Sequence, residues 1–296
     1  MPTLTVLLGD YPHTRPLKDG TFTAPGVDCR FPSSSPLYPA FARMVRDLEF
    51  DVCELALATY LQAREAGVPI TLLPVVLIGG THHRSLTRLP DGPALAPGEL
   101  AGQRIGVRSY SQTTGLWVRG ILREQYGVDA CEVTWVTTEA PHVRQYREPA
   151  YVTRSSAGRV ADLLRDGEVA AAVLGPRAIG GQAEGLVPVI PDAAAAERAW
   201  LDRHGFVAAN HVVVVRDDVL RADPDAVRAL YHALTEAISA TAGRRDDSPA
   251  GRAVAAGWSE QLAGCLDLAA RYALEQELVR SPIDIAAIEK EAGLFR

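Results

Sequence analysis

The chain has 296 residues, of which 47% are hydrophobic and 22% charged, with a formal net charge of −6 and a pI near 5.7. This length suits two compact domains or one large domain. The acidic balance argues against a nucleic-acid partner, which normally leaves a basic surface, and no apolar run approaches the roughly 20 residues needed to cross a bilayer. We therefore expect a globular protein with neither a nucleic-acid nor a membrane partner.

The N-terminal segment MPTLTVLLGD has neither the basic start nor the small-residue cleavage site of a signal peptide. The four cysteines are scattered, with no CxxC pair, and are expected to be buried free thiols. Neither they nor the adjacent His82 and His83 have the spacing of metal ligands, so no metal site is expected. Together these features predict a cytoplasmic protein.

Strands alternate with helices over the first 80 residues, which favours a parallel α/β architecture. The apolar run ITLLPVVLI is typical of a strand covered on both faces. The pattern predicts strands at Leu4–Leu8, Val27–Phe31, Phe50–Leu55 and Ile70–Ile78, with helices at Pro36–Arg46 and Ala56–Glu65.

A polar break, GGTHHRS, then leads through a short strand to PDGPALAPG, the strongest linker signal in the chain. A second series of strands and helices follows, with a long connector at Thr137–Arg154, and the C-terminal region is mainly helical. Strands are predicted at Leu86–Leu89, Arg104–Val107, Glu132–Val136, Val169–Leu174, Val187–Ile190 and Val212–Val215, and helices up to Tyr126, near Gly158–Arg165, after Asp223, and at Gly264–Leu278 and Pro282–Ala292.

Two series of strands and helices, separated by a Pro- and Gly-rich crossing, predict a two-lobed protein. The first lobe is expected to be discontinuous, with residues 1–85 plus 205–296, and the second to span residues 86–204. A ligand site is expected in the cleft between the lobes, formed by loops from each.

The segment from Leu100 to Val128 contains a short strand, the polar loop RSYSQTT and a helix. Free backbone N–H groups and the helix dipole favour an anion, such as a carboxylate, at this kind of junction. The loop has neither the GxGxxG nor the GK[ST] pattern of a phosphate site. An ordinary turn capped by Ser or Thr is also compatible with these residues.

Three segments, GDYPHTRPLKDG, FDVCELALATYL and the one just described, resemble the 4,5-dihydroxyphthalate decarboxylase family. The resemblance extends over most of the chain in order and includes His211 and the valines that follow it. It implies the fold of type II periplasmic solute-binding proteins, α/β with two lobes and a ligand cleft between them. It also implies a carboxy-lyase that removes CO₂ from a hydroxylated aromatic acid without a metal or organic cofactor.

Such a reaction needs a proton donor, and histidine suits that role near neutral pH. His211 is the first candidate, since it directly precedes a buried strand, where a polar side chain needs a reason to be present. The THHRS segment supplies His83 and Arg84 as further candidates. Its order departs from the family pattern, which leaves open whether His82 or His83 faces the cleft. A hinge role for each histidine fits the sequence equally well.

Arginine suits bidentate carboxylate binding, and Arg15 follows the first strand, where the loops of an open α/β sheet face the ligand crevice. A solvent-exposed loop arginine is the alternative. Arg119, further along the helix that ends at Tyr126, is expected at the surface, with a position that reaches the cleft as the alternative. Trp117 is expected in the core. The complete set of predicted substrate-binding residues is Asp10, Tyr11, Arg15, Glu54, Arg108, Tyr110, Gln112 and Thr113.

Two other functions remain open. One is a solute-binding protein that captures a small anion by closing its lobes and performs no chemistry. The other is a lyase or dehydratase of another cyclic carboxylic acid on the same scaffold. The predicted partner in every case is a small-molecule carboxylate, and the sequence leaves homo-oligomer formation open.

Overall fold

A computed structural model describes residues 1–174 and 183–295. Over these ranges the chain folds into two six-stranded sheets covered by helices. The strands are β1 (Thr3–Leu7), β2 (Asp28–Arg30), β3 (Val52–Ala56), β4 (Ile70–Gly79), β5 (Leu86–Arg88), β6 (Arg104–Val107), β7 (Thr134–Thr137), β8 (Val152–Arg154), β9 (Ala171–Val173), β10 (Val187–Pro188), β11 (Ala209–Arg216) and β12 (Ala255–Ala256).

The α-helices follow the strands in both series and dominate the C-terminal region. Short 3₁₀ turns begin at His83, Pro97, Ala130, Ala242 and Gly293. The helices are α1 (Arg15–Lys18), α2 (Tyr38–Asp47), α3 (Leu57–Glu65), α4 (Thr113–Tyr126), α5 (Val160–Arg165), α6 (Ala193–His204), α7 (Asp217–Ala222), α8 (Pro224–Ala240), α9 (Pro249–Ala253), α10 (Glu260–Glu275) and α11 (Ile285–Ala292).

The first sheet has the strand order β12-β4-β11-β3-β1-β2, and the second has the order β10-β5-β9-β6-β7-β8. Strands of the first sheet come from residues 3–79 and 209–256, and those of the second from residues 86–188. Each sheet is mixed rather than wholly parallel. In the first, β11 runs antiparallel to both β3 and β4, because it enters from the second lobe at the opposite end.

The valines of β11 explain why this strand reads as a continuous apolar run. Val212 and Val214 pack into one hydrophobic core, while Val213 and Val215 pack into another on the opposite face of the sheet. Successive side chains of a strand point to opposite faces, so a strand covered on both sides must be apolar at every position. The prediction of a doubly covered strand, made for ITLLPVVLI, is confirmed in β4, where Leu72 and Leu73 pack into opposite cores in the same way.

Some sequence expectations need correction. The predicted connector Thr137–Arg154 contains the edge strand β8, which is too short and too exposed to produce a hydrophobic pattern. The helix α6 was not predicted, since its run of alanines carries little apolar periodicity. All four cysteines are free, but Cys29 is only half-buried and Cys131 is exposed. No helix in residues 1–174 or 183–295 is long and apolar enough to span a membrane.

The two crossings between the sheets lie side by side. Gly79, the last residue of β4, pairs with Ala209, and the amide of Gly80 donates to the carbonyl of Ala208 at 2.9 Å. A Cβ at Gly79 would lie 2.5 Å from that carbonyl oxygen, which requires a residue without a side chain. Trp117 of α4 is fully buried, as predicted, and its indole N–H donates to the carbonyl of Ala209 at 2.9 Å.

Helix α4 packs closely against α10, and Gly120 lies at the contact, where a Cβ would overlap the ring of Tyr272. We expect Gly120→Ala to destabilise the protein by about 2 kcal/mol. Alanine gains about 1 kcal/mol of helix propensity over glycine, while overpacking costs about 3 kcal/mol. The midpoint of urea unfolding measures the difference.

The matched control is Gly293→Ala at the end of α11. This residue has a φ of −57°, and a Cβ there would meet nothing within 4 Å. The control should leave the unfolding midpoint unchanged or raise it slightly. Equal stability of both variants would contradict the close packing of α4 on α10.

Candidate active site

The carboxylate of Glu54 lies at the centre of the candidate site. Its side chain is fully buried, yet it accepts three hydrogen bonds. The donors are the Gly9 amide at 2.7 Å, the Tyr11 hydroxyl at 2.8 Å and the His211 Nδ1 atom at 2.5 Å. A buried carboxylate needs several hydrogen bonds of this kind to offset its lost hydration. We call Gly9, Tyr11, Glu54 and His211 the Glu54 cluster.

Three neighbouring strands bring the Glu54 cluster together. β3 carries Glu54 and runs parallel to β1, which ends two residues before Gly9. β11 runs antiparallel to β3, with Val213 opposite Glu54 and His211 opposite Ala56. His211 is therefore the diagonal neighbour of Glu54 on the same face of the sheet, a distance that long side chains can bridge.

The loop after β1 holds Tyr11 in place. The Thr14 hydroxyl donates to the Gly9 carbonyl at 2.7 Å and accepts from the Tyr11 amide at 3.0 Å. A Cβ at Gly9 would overlap the phenol ring of Tyr11. The absence of a side chain at Gly9 therefore allows Tyr11 to fold back over the loop and reach Glu54.

His211 combines a fixed Nδ1 atom with access to solvent. Because an ionised carboxylate can only accept, Nδ1 must donate to Glu54, and Nε2 is left for other chemistry. The His211 side chain is 24% exposed, whereas Glu54 is 0% exposed. A histidine that is oriented by a buried carboxylate and partly open to solvent is the arrangement used for general acid–base work.

Further aromatic groups surround the cluster. The His13 ring stacks on Tyr11, with ring centroids 5.2 Å apart, and Phe41 meets His211 edge-on at 5.2 Å. Phe41 also meets His142 edge-on at 5.9 Å. His142 is hydrogen-bonded through Nδ1 to the Thr59 hydroxyl at 2.9 Å. The cluster thus borders the ring of Phe41 and the imidazole of His13, and the imidazole of His142 lies on Phe41 in turn.

Both of these imidazoles are held in the neutral form. Burial, helped by the positive charge of Arg245, lowers the pKa of His13 to about 4. Burial, together with the charges of Arg108 and Arg46, lowers the pKa of His142 to about 4. Nε2 of His13 has no hydrogen-bond partner among the described residues and is enclosed by protein.

The first turns of α3 and α4 meet beside the Glu54 cluster. The Thr113 hydroxyl accepts from the Ala58 amide at 3.0 Å, and the Asn210 side chain donates to the Thr114 hydroxyl at 3.4 Å. Asn210 precedes His211 in β11. The helix N-termini therefore bring positive dipole ends to the region where the sequence predicts an anion. Gln112 is the residue before α4, and within the described residues its buried Oε1 atom has no partner.

The predicted residues fall into two groups. The structure brings Tyr11, Glu54 and His211 into direct contact, with Thr113 at the neighbouring helix start. Asp10 lies between Tyr11 and Gly9 in the chain and is 3.7 Å from Arg15, whose side chain is 62% exposed. Arg15 begins α1, directly after Thr14.

The other predicted residues have partners of their own. Arg108 donates to Glu139 at 2.7 Å and lies over the ring of Tyr38. Tyr110 is completely buried, and its hydroxyl donates to the backbone carbonyl of Gln276 at 2.9 Å.

The residues of the THHRS segment also contact groups outside the Glu54 cluster. His83 is buried, with Nε2 3.0 Å from the Gln125 side chain, and burial lowers its pKa. His82 is buried too, and its ring stacks parallel to Trp117 at 6.5 Å. Arg84 is half-exposed and lies 3.6 Å from Glu197.

Arg119 is the clearest departure from expectation. It was predicted at the surface, but it is 1% exposed. Its guanidinium donates to the Gln276 side chain at 2.6 Å and to the Tyr110 carbonyl at 2.7 Å. The surface prediction was wrong because the rings of Tyr110 and Trp135 enclose the charged group, which a pattern of polar and apolar residues does not reveal.

Sequence reasoning also missed His13, Phe41 and His142 as neighbours of the site. His13 stands in the same loop as Arg15, which is a usable signal. Phe41 and His142 come from α2 and from the connector before β8, and neither position carries a motif. Only the tertiary contacts with His211 and Thr59 reveal them.

Two cavities lie apart from the Glu54 cluster, and none of the four cluster residues lines either of them. The larger, about 400 Å³, lies where the segment around Glu148 meets the C-terminal end of α10. The smaller, about 220 Å³, lies behind the start of β11 and includes Cys265. Within residues 1–174 and 183–295, no group of three His, Cys, Asp or Glu side chains could hold a metal ion.

The fold is that of two-lobed, type II periplasmic-binding-protein-like proteins. The desulfurization enzyme DSZB superposes with a TM-score of 0.59 and 18% identity, covering 100% of both chains. The alkanesulfonate-binding protein SsuA from Xanthomonas axonopodis pv. citri superposes with a TM-score of 0.62 and 13% identity, covering 97% of this chain and 98% of the other. At these identities the likeness shows the fold alone.

Sequence comparison gives the narrower assignment. A 4,5-dihydroxyphthalate decarboxylase of Comamonas testosteroni is 32% identical over 267 residues, 83% of this chain and 78% of the relative. One of Pseudomonas putida is 34% identical over 184 residues, 59% of this chain and 70% of the relative. No protein-family profile matches the chain. The chain belongs to the 4,5-dihydroxyphthalate decarboxylase family and is thereby a carboxy-lyase.

The lowered pKa of His142 predicts how the stability of the protein changes with pH. An unfolded histidine titrates near 6.5, so between pH 6.5 and about 4 the unfolded chain binds a proton at His142 that the folded chain does not. Stability is therefore lost as the pH falls through this window. His142→Asn should lower stability at pH 7, because the contact with Thr59 is weakened, and should flatten the loss between pH 6.5 and 4.5.

The measurement is the urea midpoint of both proteins across this pH range. His232→Asn is the control, since His232 is exposed on α8. It should leave the pH dependence unchanged. If the urea midpoint of His142→Asn fell with pH as steeply as that of the wild type, His142 would not be the neutral histidine that causes the loss of stability.

Proposed function

We propose that the chain decarboxylates 4,5-dihydroxyphthalate or a closely related hydroxylated aromatic carboxylic acid, without a metal or organic cofactor. The two curated relatives support the substrate class. The observation that carries the proposal is the pairing of an accessible His211 with the fully buried Glu54 at 2.5 Å. This pair supplies the one group that the reaction needs most, an oriented proton donor.

In the proposed reaction, His211 is the acid, with protons on both ring nitrogens. Nδ1–H stays on Glu54, while Nε2 delivers its proton to the ring carbon that bears the departing carboxylate. The hydroxyl oxygen para to that carbon supplies the electron pair, and a dienone-like intermediate forms. The bond to the carboxylate then breaks, CO₂ leaves, and the bonding electrons restore the aromatic ring.

Glu54 has two tasks in this proposal. Its hydrogen bond keeps the imidazole of His211 in one orientation, and its negative charge lies beside the positive charge of the ring that acts as the acid. The Tyr11 hydroxyl and Gly9 amide hold the carboxylate in turn. Neither donor needs to move during the reaction, so the acid is preorganised.

The carboxylates of the substrate are assigned to Arg15 and to the first turn of α4, with Gln112 and Thr113 beside it. The Arg15–Asp10 contact is long, 3.7 Å, and exposed, so little is lost when Arg15 turns to a ligand. Asp10 is then free to orient a phenol. Tyr110 and Arg108 are left out because their polar groups are occupied by Gln276 and Glu139.

His83 and Arg84 are likewise outside the proposed mechanism. Their polar atoms lie beside Gln125 and Glu197, in the region where the chain first crosses between the sheets. We assign them to the crossing rather than to proton transfer. The proton donor is therefore His211 alone in this proposal.

The first experiment incubates chelator-treated protein with 4,5-dihydroxyphthalate and follows CO₂ and the aromatic product. We expect release by the wild type and a loss of at least about tenfold in kcat for His211→Asn, about 1.4 kcal/mol in the barrier. His232→Asn is the control, because that histidine is exposed and lies on α8.

Each outcome has a distinct meaning. Full activity of His211→Asn would remove the proton donor from the proposal while the decarboxylase assignment stands. A wild type that is stabilised by the acid but releases no CO₂ would favour a binding protein or a different lyase. No release and no stabilisation would refute this substrate class.

A second variant tests the carboxylate contact. Arg15→Ala should raise KM by about tenfold, since a charged hydrogen bond to a carboxylate is worth about 1.5–3 kcal/mol. Arg30→Ala is the matched control, because Arg30 is also exposed and lies 3.7 Å from its own aspartate, Asp28. An unchanged KM in Arg15→Ala, measured in the same assay, would remove Arg15 from the site.

A further inference from the structure

A fully buried cation lies behind the start of α4. Arg119 is 1% exposed, and its guanidinium lies 4.0 Å from the centre of the Tyr110 ring and 5.2 Å from that of Trp135. Its hydrogen-bond acceptors are uncharged, namely the Gln276 side-chain oxygen and the Tyr110 carbonyl. In the part of the chain that the structure describes, no carboxylate forms an ion pair with Arg119.

A charge buried without a counter-ion lowers the stability of the folded protein. A buried arginine normally has a carboxylate partner that offsets the lost hydration. Burial indeed lowers the pKa of Arg119, but guanidinium remains charged under ordinary conditions. The Nη1 atom also has no hydrogen-bond partner within the described ranges. The positive charge is therefore retained without an internal counter-ion.

The charge lies directly behind the first turn of α4. A Cβ at Gly115 would be 3.0 Å from Nη1 of Arg119, so the missing side chain leaves room for the guanidinium. Gly115 is the third residue of α4. The residues before it, Thr113 and Thr114, contact Ala58 and Asn210 beside the Glu54 cluster. The positive charge of Arg119 and the positive end of the helix dipole therefore both favour an anion at the first turn of α4.

We propose that Arg119 is a specificity-determining residue, whose buried charge makes the first turn of α4 select dianionic over monoanionic or neutral aromatic ligands. Arg119 does not touch the ligand in this proposal. Its field acts through the helix turn, in a protein interior where a charge is poorly screened. The inference rests on the proposed function, since it assumes that an aromatic carboxylate binds at this turn.

The test measures Kd by calorimetry for three probes of similar size, namely phthalate as dianion, benzoate as monoanion and catechol as neutral ring. We expect Arg119→Met to raise the Kd of phthalate on the order of tenfold, the Kd of benzoate less, and the Kd of catechol within twofold. Arg119→Lys should keep most of the preference, because it keeps the charge. A purely structural role would weaken all three probes alike.

A second variant neutralises the charge without removing the arginine. Gln276→Glu places a carboxylate at the atom that already accepts from Arg119 at 2.6 Å, in a residue of nearly the same shape. It should also reduce the preference for phthalate over catechol by several-fold. This variant keeps the proposal falsifiable should Arg119→Met fail to fold.

The outcomes separate the two proposals. Turnover or phthalate binding by the wild type, with unchanged ligand preference in Arg119→Met and Gln276→Glu, overturns the role of Arg119 and leaves the decarboxylase proposal standing. A wild type that neither binds phthalate nor turns over 4,5-dihydroxyphthalate overturns both. Loss of dianion preference in either charge-removing variant, with catechol binding retained, supports Arg119 as the source of selectivity.

Discussion

The burial of one carboxylate constrains much of the candidate site. Glu54 lies inside the first sheet with no exposed surface, and such a group is tolerated only when its oxygens are hydrogen-bonded. Its three donors come from the loop after β1 and from β11, so these segments must meet at β3. The same contacts orient His211. The same three hydrogen bonds therefore offset the cost of burying Glu54 and hold His211 in place.

The site also depends on where the chain crosses between the sheets. β4 leaves the first sheet at Gly79, and β11 returns to it at Ala209, directly opposite. His211 follows that return by two residues, and Asn210 contacts the first turn of α4. Any change in the angle between the lobes would pass through this segment. His211, the proposed proton donor, therefore lies next to the crossing between the sheets and contacts Glu54 from there.

Charge is distributed asymmetrically around the Glu54 cluster. The Glu54 carboxylate is satisfied by donors, whereas the buried guanidinium of Arg119 keeps its charge behind the α4 turn. Two neutral imidazoles, His13 and His142, border the region without adding charge near neutral pH. In the proposed complex, an aromatic acid lies between His211 and the first turn of α4.

The sequence by itself determined most of the strand and helix order, the doubly covered strand β4 and the family, because hydrophobic periodicity and local motifs are properties of neighbouring residues. It also singled out Tyr11, Glu54 and His211, which lie in the loop after β1, within β3 and near the start of β11. It could not show that these three touch, since residues 43 and 157 positions apart meet only through sheet pairing. Only the tertiary structure decided that Arg119 and Tyr110 are buried and that Phe41 faces His211. The physical reason is that burial and orientation depend on helices packed from distant parts of the chain, a property that no local pattern encodes.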